Sequence, residues 1–215
     1  MKKYKAVIFD LDGTLLNTLE DLKDGVNHVM KEFNYPEHTL EEIRSFVGNG
    51  IKLLIERSLP DGNKTPDFEE IFSEFKSYYT SHCRIKTKPY DDIMELLSIL
   101  HERGYLLAIV SNKNQAAVTE LNNIYFSNFI TTAIGEQEGI LKKPAPDTVF
   151  AALSELGIDA DDAVYVGDSD VDRETAKNSG LDCISVTWGF RDRELLEALK
   201  PYALIDKPLD LLQYV

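Results

Sequence analysis

A short β-branched and aromatic run, Ala6-Val7-Ile8-Phe9, ends in Asp10-Leu11-Asp12-Gly13-Thr14. Such a run, bounded by a glycine, reads as a buried strand. Side chains at i and i+2 leave a strand on the same side, so Asp10 and Asp12 can share one pocket. Gly13 permits a turn that a residue with a Cβ resists. Two carboxylates at that spacing repel unless a cation neutralises them or one takes a proton. The bland alternative is an Asp12-Gly13 hairpin turn, with Asp10 a cap.

The same pattern returns far along the chain. Ala163-Val164-Tyr165-Val166 runs into Gly167-Asp168-Ser169-Asp170-Val171-Asp172, again a strand with carboxylates at its end. In open α/β sheets that edge is where ligands bind. Carboxylates clustered without His or Cys select a hard cation, and Mg²⁺ where a phosphate completes the shell. Between the two segments, Val110-Ser111-Asn112 follows a strand over 105–109, offering a hydroxyl and an amide before a helix start. Lys142-Lys143-Pro144-Ala145-Pro146-Asp147 offers a cation fixed by flanking prolines. Read singly, Ser111 is a helix cap and the lysines a solvated turn. Their order along one chain favours one shared site.

Periodicity divides the chain. After the first strand, up to about Lys88, it is helical only. Leu19, Leu22, Val26, Val29, Met30 and Phe33 fall on one helix face, as do Phe68, Ile71, Phe72, Phe75, Tyr78 and Tyr79. Thr39 with Glu42 reads as a capping box and Thr65-Pro66 as a helix start. From Pro89 on, helices alternate with strands near 105–110, 131–134, 163–166, 183–186 and 203–205, as parallel strands with crossover helices do. A helical bundle over 17–85 therefore interrupts a doubly wound parallel sheet over 1–16 and 86–215. Linkers are expected near 16–18 and 85–90, with Pro89 and Tyr90 as a hinge or an ordinary loop.

Composition narrows the function. The 23 basic and 37 acidic residues leave a net charge of −14, which argues against nucleic acid and anionic membranes as partners. No apolar stretch approaches the roughly 20 residues of a membrane span, and the apolar run at the amino terminus breaks at Asp10, unlike a signal peptide. Cys83 and Cys183 are too few for a disulfide framework and lack metal spacing. A cytoplasmic monomer or homodimer acting on a small molecule is the expectation. His28, His38, His82 and His101 lie away from every motif.

These motifs resemble those of the haloacid dehalogenase superfamily. Asp10-Leu11-Asp12-Gly13-Thr14 is similar to its nucleophile motif, Ser111 to the hydroxyl of its second, Lys143 to the lysine of its third, and Gly167–Asp172 to its acidic fourth. Val47-Gly48-Asn49-Gly50 and Val186-Thr187-Trp188-Gly189-Phe190 resemble the phosphoglycolate phosphatase branch. The resemblance implies a Rossmann-like core carrying a helical cap.

It also implies roles. Asp10 would attack phosphorus and Asp12 would serve as general acid and base. Mg²⁺ would be held by Asp10, the Asp12 carbonyl and Asp168, with Asp172 supporting it. Ser111, Lys143 and, more weakly, Asn112 would hold the phosphoryl oxygens. Thr14 is expected to fix Asp12 by a local hydrogen bond, and Asp170 to be a solvated helix-start acid. Asp12 favours phosphoryl transfer over dehalogenation, which needs no acid for an alkoxide. The expected substrate is a small phosphate monoester, 2-phosphoglycolate first. Pyrophosphate, sugar phosphates, a sugar-phosphate mutase and a non-catalytic phosphate binder are the alternatives. Gly48, Asn49 and Gly50 are read either as a substrate loop of the cap or as a plain helix–helix turn. Lys52 and Arg57 are read as solvated, with a substrate carboxylate as the alternative.

Overall fold

The computed structural model describes residues 4–215. The chain forms two compact units, Asn17–Lys88 and a second made of the chain up to Leu16 with Pro89–Val215.

The larger unit is built on a six-stranded sheet. Its strands are β1 (Ala6–Phe9), β4 (Leu106–Asn114), β5 (Thr132–Glu136), β6 (Ala163–Gly167), β7 (Asp182–Val186) and β8 (Ala203–Ile205). Their order is β5-β4-β1-β6-β7-β8, and every pairing is parallel. The chain builds outward from β1 on one side, then returns to build the other, so the direction of winding reverses at β1. In open sheets of this kind ligands bind at the carboxyl ends of the strands on either side of such a reversal, here β1 and β6. Alternation sends Val7 and Phe9 into one core layer and Ala6 and Ile8 into the other, which explains an unbroken apolar strand. Helix α5 (Ile93–Glu102) and α6 (Gln115–Tyr125) supply Leu96, Leu97, Leu100, Val118 and Leu121 to the first layer. Helix α7 (Asp147–Leu156) and α8 (Asp170–Asn178) supply Val149, Ala152, Leu153 and Ala176 to the second. A short α9 (Arg193–Ala198) joins β7 to β8.

The second strand of this sheet in chain order, β4, extends further than its apolar run. β4 continues through Ser111, Asn112 and Lys113 to Asn114, where it still pairs with Glu136 after a shift of register. These residues are therefore held on a strand rather than in a loop.

The smaller unit contains α1 (Leu19–Glu32), α2 (Leu40–Phe46), α3 (Ile51–Ser58) and α4 (Phe68–His82). Leu22, Val26, Val29 and Met30 of α1 are buried, as are Phe68, Ile71, Phe75 and Tyr79 of α4. Thr39 and Glu42 form the reciprocal capping box. Thr65-Pro66 does not begin α4. A 3₁₀ turn over Gly62–Lys64 ends at Thr65, whose carbonyl accepts the Phe68 N–H, so the helix starts after Asp67. Asp21, buried on α1, accepts the main-chain N–H of Lys86 at 3.0 Å and of Thr87 at 2.9 Å. Those bonds keep residues 86 and 87 with the helical unit. The strands β2 (Leu16–Asn17) and β3 (Lys88–Pro89) pair with each other. No helix among the described residues is long and apolar enough to cross a membrane. Cys83 and Cys183 are both buried and form no disulfide.

Candidate active site

β1 ends by delivering Asp10 into a buried ionic network. Lys143 Nζ donates to Asp10 Oδ1 at 2.6 Å, to Asp172 Oδ1 at 2.7 Å and to the Tyr165 hydroxyl at 3.1 Å. Tyr165 in turn donates to Asp172 Oδ1 at 3.1 Å. Burial raises the Asp10 carboxyl well above the carboxylate range, against the pull of Lys143 and with added repulsion from Asp172 and Asp168. Burial also acts to discharge Lys143, but Asp10 and Asp172 outweigh it and hold the ammonium charged well above its usual range. Burial keeps Tyr165 a neutral phenol. Asp10 uses Oδ1 for Lys143, which leaves Oδ2 as the atom that can meet an electrophile.

Lys143 is fixed from its backbone as well. Asn112 Nδ2 donates to the Lys143 carbonyl at 2.9 Å, and the Lys143 N–H donates to Asn112 Oδ1 at 2.8 Å. The peptide from Lys143 to Pro144 is cis. Asn112, expected as a weaker phosphate contact, uses one N–H and its oxygen to hold the lysine segment. Ser111 is buried, and its Oγ accepts the Lys113 N–H at 3.1 Å. Asn114, not Ser111, caps α6, through a 3.0 Å bond from the Ala116 N–H.

Asp12 lies on a different cation. Lys113 Nζ is 2.8 Å from Asp12 Oδ1, with side chains only 8% and 20% exposed. Sequence reading passed over Lys113, although strand alternation places it on the same side as Ser111. Thr14 does not hold Asp12. The turn at Gly13 carries Thr14 toward the end of β6, where its hydroxyl donates to Asp168 Oδ1 at 3.2 Å.

Asp168 sits directly after β6 and is enclosed by backbone. The Phe190 N–H donates to its Oδ2 at 2.7 Å, and Trp188 Nε1 donates to the Thr14 carbonyl at 3.0 Å. The segment 186–190 thus braces the site. Gly13 has φ +94°, and a Cβ there would lie 2.5 Å from Asp168 Oδ2, so glycine is required by conformation and by space. A Cβ on Gly189 would meet the Gly13 carbonyl oxygen at 2.5 Å. Burial, with the Asp172 charge second, pushes Asp168 up to about 7 against the bond from Phe190.

Asp172 does two things. Its Oδ1 binds Lys143, and its Oδ2 accepts from Ser169 N–H at 3.1 Å and Ser169 Oγ at 2.5 Å, closing the capping box of α8. Asp170 is half exposed and pairs with Arg191 Nε at 3.1 Å.

Asp10, Asp168 and Asp172 bring carboxylate oxygens within 4.8 Å of one another. Lys143 pairs with Asp10 and Asp172, and burial resists the ionisation of Asp10 and Asp168. An all-oxygen, electron-rich donor set of this kind fits a hard divalent cation.

In the helical unit, Gly48, Asn49 and Gly50 all have positive φ, at 125°, 63° and 91°, and turn the chain from α2 into α3. Arg57 Nη1 donates to the Phe46 carbonyl at 2.7 Å and the Gly48 carbonyl at 3.5 Å. Lys52 pairs with Glu69 at 3.2 Å.

The family profile of haloacid dehalogenase-like hydrolases matches residues 7–186, and the chain belongs to that family. It is 30% identical over 210 residues to a phosphoglycolate phosphatase of Aquifex aeolicus, covering 97% of this chain and 95% of that protein. It is 32% identical over 203 residues to a phosphoglycolate phosphatase of Mesorhizobium japonicum, covering 93% and 89%. A solved structure from Lactobacillus delbrueckii subsp. bulgaricus, provisionally described as a phosphoglycolate phosphatase, superposes with a TM-score of 0.94. It shares 34% identity, over 99% of this chain and 98% of that one.

Proposed function

We propose that this chain is a Mg²⁺-dependent phosphatase. It hydrolyses a small phosphate monoester, 2-phosphoglycolate first, through a phospho-aspartate on Asp10. The observation that carries this reading is the pair Asp10 and Asp12 held by two different lysines, at 2.6 Å and 2.8 Å. One carboxylate is buried against Lys143 as a nucleophile needs, and the second is positioned separately for proton work. Names of the similar proteins from Aquifex and Mesorhizobium support the substrate.

Asp10 Oδ2 forms a bond to phosphorus while the bond to the ester oxygen breaks, and the Asp12 carboxyl proton goes to that oxygen. Asp12 then takes a proton from a water whose oxygen attacks phosphorus, which breaks the bond to Asp10. Lys143 and the Ser111 hydroxyl would hold phosphoryl oxygens as charge builds. Asp10, Asp168 and the Asp12 carbonyl would hold Mg²⁺, whose charge lets an anionic nucleophile approach an anionic ester.

The test is a panel of 2-phosphoglycolate, pyrophosphate, glucose 6-phosphate and para-nitrophenyl phosphate, assayed with Mg²⁺ and no acceptor sugar. The highest kcat/KM is expected on 2-phosphoglycolate. A higher value on pyrophosphate or the hexose phosphate would overturn the substrate, and no phosphate release from any ester would overturn the phosphatase.

A further inference from the structure

Lys113 holds Asp12 in the reading above, but it has been given no contact with the substrate, and its ammonium is nearly buried. Burying a charge is costly unless a partner or a ligand uses it. The two cations of the helical unit that sequence offered for a substrate carboxylate are engaged elsewhere, Lys52 with Glu69 and Arg57 with main-chain carbonyls.

We propose that Lys113 is the specificity residue for the leaving group, receiving a carboxylate carried one carbon from the ester oxygen. The inference rests on the phosphatase reading. A general acid works within about 2.6–3.2 Å of the atom it protonates, so the ester oxygen must lie beside Asp12. Lys113 Nζ lies beside the same carboxylate, 2.8 Å from Oδ1. In an O–CH₂–COO⁻ leaving group, standard bond lengths put a carboxylate oxygen about 3 Å from the ester oxygen. A leaving group of that size spans from Asp12 to the ammonium, whereas an alkyl group of the same length offers it nothing. A direct contact between ammonium and carboxylate is a charge-assisted hydrogen bond, which corresponds to about 10- to 100-fold in binding. Strand geometry supports a fixed position. Lys113 projects from the end of β4 with its N–H tied to Ser111 Oγ at 3.1 Å, so its stem starts from a rigid element.

The experiment compares kcat/KM for 2-phosphoglycolate and ethyl phosphate, which differ by that carboxylate. It uses the Mg²⁺-loaded wild-type enzyme, Lys113→Gln and Lys113→Arg. Wild type should favour 2-phosphoglycolate by at least tenfold. Lys113→Gln should shrink that ratio at least tenfold, and Lys113→Arg should retain most of it. Equal losses on both esters in Lys113→Gln would mean that Lys113 only orients Asp12, and would overturn the proposal while the phosphatase stands. A wild type that hydrolyses ethyl phosphate as well as 2-phosphoglycolate also overturns it. A wild type that hydrolyses neither overturns this proposal, and it defeats the phosphatase reading as well only if para-nitrophenyl phosphate and the rest of the panel also release no phosphate. If Lys113→Gln shows no folded signal by circular dichroism, inhibition of wild-type ethyl phosphate hydrolysis decides. Competitive inhibition by glycolate well beyond that by glycolamide supports the carboxylate contact, and equal inhibition by the two overturns it.

Discussion

Asn112 and Lys143, 31 residues apart, hold each other by two reciprocal hydrogen bonds between the asparagine amide and the lysine main chain, at 2.9 and 2.8 Å. The end of β4 thereby fixes where the ammonium of Lys143 reaches Asp10. Asn112→Ala removes both bonds. It should lower stability by about 1–3 kcal/mol. Displacement of Lys143 should lower kcat by about 100-fold. Thermal melts and steady-state kinetics check this. A rise in KM larger than the fall in kcat would instead return Asn112 to the role of phosphate contact.

Asp10→Asn should fold and lose turnover entirely, because an amide cannot form the acyl phosphate. Intact mass after rapid quench should show a phosphoenzyme in wild type under substrate saturation and none in the variant. A phosphorylated Asn variant would place the nucleophile elsewhere.

Stability without metal should fall as pH rises. Asp168 is pushed up to about 7, mainly by burial, from the ordinary carboxylate value near 4. Between those values the folded state binds a proton that the unfolded state has released, so stability is fully present below about pH 4 and lost as pH climbs toward 7. Asp10 is raised for the same reason and adds in the same direction. In EDTA, the Tm should drop by several degrees from pH 5 to pH 8. Mg²⁺ should flatten the slope, and so should Asp168→Asn in EDTA. A Tm that rises over this range in EDTA would contradict the raised carboxyls.

Asp168→Ala should raise the Mg²⁺ concentration needed for half activity by at least tenfold. Asp170→Ala, which removes only a half-exposed pair with Arg191, should change it less than twofold. Magnesium titrations of both variants separate the two acids.

Gly13→Ala should be among the most damaging single methyl additions to the chain. The residue has φ +94° and its new Cβ would press on the Asp168 carboxylate. Destabilisation of about 1–3 kcal/mol is expected from the backbone alone, with activity lost beyond that as Asp168 moves. Chemical denaturation and the Mg²⁺ titration together read both effects.

Much of this was legible in the sequence because parallel strands announce themselves by unbroken apolar runs, and those runs end in the residues that matter. Asp10 and Asp168 could be placed at strand ends on that basis, and Lys143 was read from the prolines that flank it. The partnerships could not be placed. Thr14 lies two residues from Asp12, and local spacing suggested a local bond, but the turn at Gly13 sends its hydroxyl to Asp168. The bonds from Asn112 to the Lys143 main chain were out of reach because nothing in sequence reveals that residue 143 lies beside it. Lys113 was hidden because the apolar run ends at Val110, so strand alternation was not extended to residues 111–114. Tyr165 was hidden inside an aliphatic strand whose hydroxyl finds a polar network only in three dimensions. Thr65-Pro66 carried a helix-start signal that a preceding 3₁₀ turn displaced to Asp67.

The chain that leaves β1 at Leu16–Asn17 and returns at Lys88–Pro89 does so through two strands that pair with each other, with Asp21 gripping residues 86 and 87 from inside the helical unit. Loop-closure entropy depends on the separation of a segment's ends and only weakly on how much chain lies between them. To the folding sheet, some seventy residues of helix therefore cost only about 2–3 kcal/mol more to close than a tight turn. An insertion joined in this way is a replaceable module. Recombination at this neck can exchange one helical bundle for another, or shorten it to a turn, without asking the sheet to find a new register. The carboxylates and lysines anchored at the strand ends can then persist while the inserted segment diversifies.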